Sequence, residues 1–409
     1  MEIYDSLSKN RSRTLLTAFG IFWGIFMLIL LMGGGRGLQT MLSSNFAGFA
    51  SNSGFFISET TSMPYKGFRK GRYWSLQVED TACVRNAIAE LDVVTPLIMS
   101  WANSASAENH SLSVSVQGEY PEYAVIDNPK ITHGRSLNAV DNLMRRKVCV
   151  VGSRIVEELF VGKDKDFDPC GRFIQVDGIH YRIVGVSGKG PDGINIGGNA
   201  QTTVHLPYET MRRTYNRGSN IDVLCVTARP GYQMSNVQAK AERVLKRKHY
   251  IHPDDTQALT KLNVEAIFGM IDTLFNGVSI LVWMIGLGTL LAGAIGVSNI
   301  MIVAVKERTI EIGIRRAIGA TPYNILRMIM RESVVLTLLA GMSGITLAVL
   351  ILQGVEMALH NSSPEAQFQI SFGTALGAAS LLALLGVIAG LAPAMRAMQI
   401  RPVDAMREE

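Results

Sequence analysis

Residues 273–305 read TLFNGVSILVWMIGLGTLLAGAIGVSNIMIVAV, bounded by Asp272 and Lys306 with no charge between them. A helix crosses the hydrocarbon core of a bilayer with about 20 apolar residues. This run is long enough to span and to continue outside the lipid as a stalk. Three more runs have the same character. No charge interrupts Thr14–Gly35, between Arg13 and Arg36, or Ser333–Val355, between Glu332 and Glu356. None interrupts Ala366–Met395, between Glu365 and Arg396. The sequence therefore predicts a membrane α-helical protein with four transmembrane helices. Its charged content of 18% agrees, because an average soluble domain carries about 25%.

The first run follows a basic segment (Lys9, Arg11, Arg13), as in a signal peptide. Its apolar stretch exceeds the roughly 7–15 residues of a secretory h-region and no A-x-A site follows, so it reads as an uncleaved anchor. Lys and Arg collect on cytoplasmic flanks. Lys9, Arg11 and Arg13 precede the first run, and Lys306, Arg308, Arg315, Arg316, Arg327 and Arg331 separate the second from the third. Arg396, Arg401 and Arg407 follow the fourth, whereas the connector Glu356–Glu365 has neither Lys nor Arg. Both termini and the 306–331 loop are expected in the cytoplasm, with 37–270 outside. The net charge of +5 is then an orientation signal and does not call for nucleic acid.

The expected organisation is 1–36 (terminus and first helix), 37–270 (outer domain), 271–305 (stalk and second helix), 306–331 (loop), 332–356, 366–395 and 396–409 (third helix, fourth helix and tail). Small residues recur four apart at Gly20/Gly24, Gly288/Ala292/Gly296, Gly373/Gly377 and Gly386/Gly390. Such ridges let membrane helices approach closely, so these positions are candidate helix-packing sites. The charge-free spans argue against a proton relay or ion-coupled carrier, which needs ionisable groups inside the membrane.

The outer segment reads as mixed α/β. Asp177-Gly178 between Phe173–Val176 and Ile179–Ile183 is a hairpin signal. Val148–Val151 reads as a strand running through Gly152-Ser153 into the helical RIVEELF, and Ser111–Gln117 and Asp222–Thr227 read as strands. Val237, Ala241, Val244 and Leu245 mark one helix face, with Lys240, Arg243, Lys246, Arg247 and Lys248 read as a solvated basic face around it. The glycine-rich segment 188–198, with Lys189 and Pro191, departs from a phosphate loop. His249-x-x-His252 with Asp254 and Asp255 superficially resembles a metal cluster but reads as a polar loop. Cys83, Cys149, Cys170 and Cys225 form no CxxC pair; they read either as disulfides of an outer compartment or as buried thiols. No catalytic or metal-ligating set emerges.

The loop KERTIEIGIRRAIGATP (306–322) carries the sharpest signal. Ile310, Ile314, Ala317 and Ile318 fall on one face of a short helix. Glu311 and Arg315 pair at i,i+4, Gly319 suits C′ and Pro322 follows. Gly313 lowers helix propensity by about 1 kcal/mol, which close approach of a neighbour would justify. Such a helix can lie on lipid or dock into a groove of another protein.

The stretch GVSNIMIVAVKERTIEIGIRRAIGAT and the tail GLAPAMRAMQIRPVDAMR resemble FtsX-like, MacB-type ABC permeases. The opening SLSKNRSRTLLTAFGIFWGI fits that family's first span, and RRKVCVVGSRIVEELF with DPCGRFIQVDGIHYRIVGV resembles its periplasmic core domain. The resemblance implies an α/β periplasmic domain inserted between helices 1 and 2, with a porter-like part at about 51–120 and 205–264 and an inserted subdomain at about 121–204. It implies a non-catalytic permease subunit in the inner membrane. ATP and Mg would be held by a separate ABC ATPase subunit pressing on Glu307, Arg308, Ile310, Glu311, Gly313, Ile314, Arg315, Arg316, Ile318 and Gly319. A second permease copy or a paralogue, a periplasmic adaptor and an outer-membrane channel are the further partners it implies. The expected work is efflux or export of a small molecule, lipid-linked molecule or peptide. The alternative is a regulator of the same architecture controlling a periplasmic partner such as a cell-wall hydrolase.

Overall fold

The computed structural model describes residues 11–44, 50–162, 167–188, 199–359 and 367–400. The readings at Lys9, Lys189, Pro191, Glu365, Arg401 and Arg407 lie outside them. In chain order the elements begin with α1 (Arg11–Ser44), β1 (Ser53–Ser58), β2 (Leu76–Gln77), α2 (Val78–Ala87), β3 (Leu91–Ala107) and β4 (His110–Glu119). Next come β5 (Ile131–Gly134), α3 (Ala139–Leu143), β6 (Val148–Gly152), α4 (Ser153–Leu159), β7 (Phe173–Val176) and β8 (Ile179–Ser187). They are followed by β9 (Thr203–Pro207), α5 (Tyr208–Thr214), β10 (Asn220–Ile221), β11 (Val223–Ala228), α6 (Met234–Lys248) and β12 (Leu259–Asn263). The last four are α7 (Val264–Glu307), α8 (Thr309–Ala317), α9 (Pro322–Leu359) and α10 (Phe372–Met398). The chain divides into two compact units, Leu42–Ile271 and the remainder on either side of it.

In the helical unit, four helices are long and apolar enough to cross a membrane: Ala18–Ser43, Val264–Glu307, Pro322–Leu359 and Gly373–Met398. At 44 residues, α7 is about 66 Å long, twice the roughly 30 Å hydrocarbon core. Among the described residues of the charge-free run from Ala366, which itself lies outside them, the helix starts at Phe372, where Ser371 accepts the Thr374 amide as N-cap. The preceding extended residues lay the Phe368 ring on Gly37 of α1, where any Cβ would collide with it.

Glycine lets these backbones touch. A Cβ on Gly293 would stand 3.2 Å from the Gly20 carbonyl carbon, and one on Gly24 would stand 3.2 Å from Leu290 Cδ2. The pair α9–α10 is joined at Gly341 against Leu382, Gly386 against Thr337 and Gly390 against Ser333. Ser333 donates its hydroxyl to the Gly386 carbonyl at 2.9 Å. Gly288, Gly296 and Gly377 face open space among the described residues, Ala292 is exposed, and Gly373 is near only Ser371. Within this chain the α7 contact falls on another face, at Gly286 and Gly293, which meet Leu28 and Gly20.

The α/β unit is built on one ten-stranded sheet, ordered β12-β1-β11-β3-β4-β9-β6-β8-β5, with β7 pairing β3 and β8. Among the described strands, β4–β9 and β6–β8 are the parallel pairs. Successive residues of a strand face opposite sides. Phe55 and Phe56 are both buried but join different apolar clusters, as do Leu224 and Cys225. The central strands are therefore covered on both faces. The larger cluster includes Val84 of α2, Ile155 of α4 and Val237 and Leu245 of α6.

The β7–β8 hairpin turns at Asp177 (φ 47) and Gly178 (φ 82), a type I′ geometry. The Asp177 carboxylate also accepts from Ser104 N at 3.0 Å and Tyr215 OH at 2.8 Å. The basic face of α6 is solvated at Arg243 and Arg247, as its sequence suggests, but its lysines are engaged. Lys246 is buried and pairs with Glu242 at 2.7 Å, Lys240 pairs with Glu90, and Lys248 pairs with Asp80 at 2.5 Å. All four cysteines are free thiols, with Cys149 and Cys225 buried and Cys83 and Cys170 half-buried.

Candidate functional site

The helix after α7 is where the sequence places the strongest partner-docking signal. Arg308 breaks the helical run with φ −104 and ψ 16, and α8 starts at Thr309. Thr309 bonds back to the Lys306 carbonyl at 2.7 Å. At the other end Gly319 has φ 111. Its amide donates to Arg316 O at 3.2 Å, and the Ala320 amide donates to Arg315 O at 3.0 Å. These two bonds form a Schellman cap, which needs a left-handed C′ residue and so favours glycine. Pro322 then opens α9 at its first position, where a missing N–H costs nothing, and Thr321 Oγ1 accepts the Asn324 amide at 3.3 Å.

The inward face of α8 is Ile312, 1% exposed, with Gly313 beside it. The outward face is an apolar stripe at i, i+4 and i+8: Ile310, Ile314 and Ile318 are 55%, 46% and 82% exposed. Ala317 is exposed as well. The basic residues are committed elsewhere. Arg308 reaches Glu332 of α9 at 3.4 Å, and Arg315 pairs with Glu311 at 2.8 Å and lies 2.8 Å from the Met328 sulfur. Arg316 donates to the Met398 carbonyl at 2.9 Å and also to the Ile400 carbonyl. It thus satisfies orphan carbonyls at the C-terminus of α10. Glu307 closes α7 and is exposed.

Arg308 and Arg315 thus tie α8 to α9, and Arg316 ties it to the end of α10. The chain alone pointed to Ile310, Ile314 and Ile318 by periodicity. It gave no sign of Ile312, Met328 or the Met398 carbonyl, which α8 meets only after the helices pack. Glu332 entered the sequence reading only as the boundary of the third run.

In the α/β unit, a cavity of about 20 Å³, room for one water, is lined by residues including Glu119, Pro121, Leu137, Val150 and His205. His205 Nδ1 lies 3.1 Å from Glu119 Oε2. Burial pushes the neighbouring Asp127 carboxyl up to about 6, with the Glu119 charge adding and His205 opposing. Burial works against charge on His205, yet Glu119 and Asp127 raise it above the ordinary imidazole value. His249, the first member of the His-x-x-His pattern, is spent on Asp80 at 2.8 Å and packs on Trp74. His252 packs edge-on to Tyr65. Among the described residues no three His, Cys, Asp or Glu side chains converge to hold a metal.

Two family profiles match: MacB-like periplasmic core domain over residues 14–244 and FtsX-like permease C-terminal over residues 283–402. The macrolide export ATP-binding/permease protein MacB of Vibrio parahaemolyticus is 28% identical, over 99% of this chain and 59% of its own length. The pyoverdine export ATP-binding/permease protein PvdT of Pseudomonas putida is 27% identical, over 98% of this chain and 58% of its own. The periplasmic region of MacB from Actinobacillus actinomycetemcomitans aligns with 56% of this chain and 96% of itself, at 18% identity and TM-score 0.44. The chain thus spans less than two thirds of the length of these curated relatives, and what it matches is their permease part. With four apolar helices and an α/β core domain, the chain is a multi-pass membrane protein that belongs to the MacB-like, FtsX-like ABC permease family.

Proposed function

We propose that this chain is the permease subunit of an ABC transporter that exports a periplasmic substrate. It sits in the inner membrane with both termini and residues 306–331 in the cytoplasm and residues 37–270 in the periplasm, as the Lys/Arg asymmetry of its short flanks supports. A separate ATPase subunit, holding ATP and Mg²⁺, docks on α8. Closure of the ATPase around nucleotide pushes α8, and α7, α9 and α10 carry the displacement. A second permease copy or a paralogue completes the assembly, and the exposed Gly288/Ala292/Gly296 ridge supplies a face on which membrane helices can approach closely. The cargo class is a small molecule, lipid-linked molecule or peptide, handed on to a periplasmic adaptor and an outer-membrane channel. The relatives' names, macrolide and pyoverdine export, support an export reading.

The observation that carries the proposal is the exposed stripe Ile310/Ile314/Ile318 on a helix whose arginines are tied inward. An apolar anchor at the centre of an interface is worth about 2 kcal/mol or more. Ile314→Asp and Ile318→Asp should each weaken ATPase co-purification by about tenfold or more and stop transport, while the protein still inserts and folds. Unchanged co-purification and transport in both variants would overturn the docking role.

A further inference from the structure

Between β1 and β2 the chain folds into a small, fully anchored hairpin whose sequence, TTSMPYKGFRKGRYW (60–74), contains four cations and no acid. Tyr65 and Phe68 exchange backbone hydrogen bonds of 3.1 and 2.9 Å around Lys66 (φ 45) and Gly67 (φ 87). The base is closed by Gly71 N to Thr61 O at 2.6 Å and by Arg72 N to Thr61 Oγ1 at 3.1 Å. Asp255, buried, accepts Ser62 N and Oγ at 2.7 Å and Met63 N at 3.1 Å. Trp74 donates to Ala258 O at 3.0 Å, and Arg72 donates to His249 O at 2.6 Å just past the end of α6. A loop held at this many points presents its side chains with little ordering cost left to pay on binding.

Those side chains are aromatic and cationic. Tyr65 packs on His252 with ring centres 5.4 Å apart, and Phe68 lies 6.4 Å from Tyr250. Lys66 stands 5.5 Å over both the Tyr65 and Tyr250 rings, and Arg72 stands 4.1 Å over Phe68. Phe68, Tyr250 and Tyr73 remain 44%, 51% and 88% exposed, so they do not serve the core. Among the described residues Lys66, Arg69 and Lys70 form no ion pair with an acid. Asp254 is an exposed carboxylate 3.9 Å from His252. Tyr, Phe and Arg are among the residues enriched at protein interfaces.

We propose that the 61–74 hairpin, with Tyr250 and His252, is a docking surface for an acidic segment of a partner protein that carries at least one aromatic side chain. Carboxylates would meet Lys66, Arg69 and Lys70, and the ring would pack on the Phe68/Tyr250 face. The assignment is independent of how α8 engages the ATPase.

The test uses the full chain in nanodiscs of zwitterionic lipid and a fluorescent peptide of alternating Glu and Trp, with an alternating Lys–Trp peptide as control. The Glu–Trp peptide should bind and the Lys–Trp peptide should not. Lys66→Glu/Arg69→Glu/Lys70→Glu, all exposed positions, should weaken binding by about tenfold or more. Tyr73→Ala with Tyr250→Ala should weaken it without altering charge. Arg243→Glu/Arg247→Glu, which removes exposed cations of α6, should leave it unchanged. Equal binding by the triple variant and the parent would overturn the proposal. So would peptide-independent binding to phosphatidylglycerol vesicles that the triple variant alone loses, since that outcome assigns the hairpin to lipid.

Discussion

Asp80 is a carboxylate with no solvent exposure, surrounded by His249 Nε2 at 2.8 Å, Lys248 Nζ at 2.5 Å and the Gln77 amide at 2.8 Å. It closes the capping box of α2 and joins that helix to the end of α6. Burial alone would raise its carboxyl, but the hydrogen bonds from His249, Lys248 and Gln77 outweigh it and hold the group below its ordinary 3.8. A carboxylate with a depressed folded value contributes stability that is present above its unfolded value and is lost as pH falls through the folded one. Asp80→Asn should therefore cost the α/β unit about 3 kcal/mol at pH 7, the range for breaking a buried pair. The deficit should shrink as pH drops below 4. Thermal melts across pH check this, and an equal deficit at pH 3 and pH 7 would contradict it. None of this was legible from His249 and Asp80 in the chain, which stand far apart in sequence. The His-x-x-His segment read as a polar loop, whereas His249 holds a carboxylate on another helix.

Helical elements show a similar division between spacing and phase. Small residues four apart were plain at Gly288, Ala292 and Gly296, but which face of α7 meets α1 depends on Leu28 and Gly20, and these select Gly286 and Gly293. Gly293→Leu should force the α1 and α7 backbones apart and cost about 1–3 kcal/mol, seen as a lower detergent melting temperature. Gly277→Leu, also on α7, has open space within the chain and should leave that temperature unchanged. Matching losses in the two variants would refute the assigned faces. For α8, period, caps and the Glu311–Arg315 pair were readable from the chain, while the links of Arg308 and Arg316 to other helices were not. Arg316→Ala removes the link to the Met398 and Ile400 carbonyls but leaves the isoleucine stripe. It should retain ATPase binding and lose most of the coupling, so that hydrolysis continues with transport reduced by about tenfold. Loss of ATPase binding instead would place Arg316 in the interface. The Tyr65–Phe68 hairpin escaped sequence reading because Lys-Gly is a weaker type I′ signal than the Asp177-Gly178 pair.

For the entire molecule, four charge-free runs carried the membrane-helical class, because lipid forces every backbone polar group of a span into a helix. The Asp177-Gly178 turn and the strand–helix junction at Gly152-Ser153 carried the α/β character of the intervening segment. Strand order did not follow from the chain: β4–β9 and β6–β8 pair parallel over long separations, and only the packed sheet fixes them. The functional account requires that the α/β unit and α8 lie on opposite sides of the membrane. Single cysteines at the exposed positions His180 and Ile318, in a background with Cys83 and Cys170 changed to alanine and the buried Cys149 and Cys225 retained, report this with a membrane-impermeant maleimide. His180→Cys should label in cells whose outer membrane alone has been opened, and Ile318→Cys should label only after the inner membrane is broken. Labelling of both under the first condition, or of neither, would contradict the account.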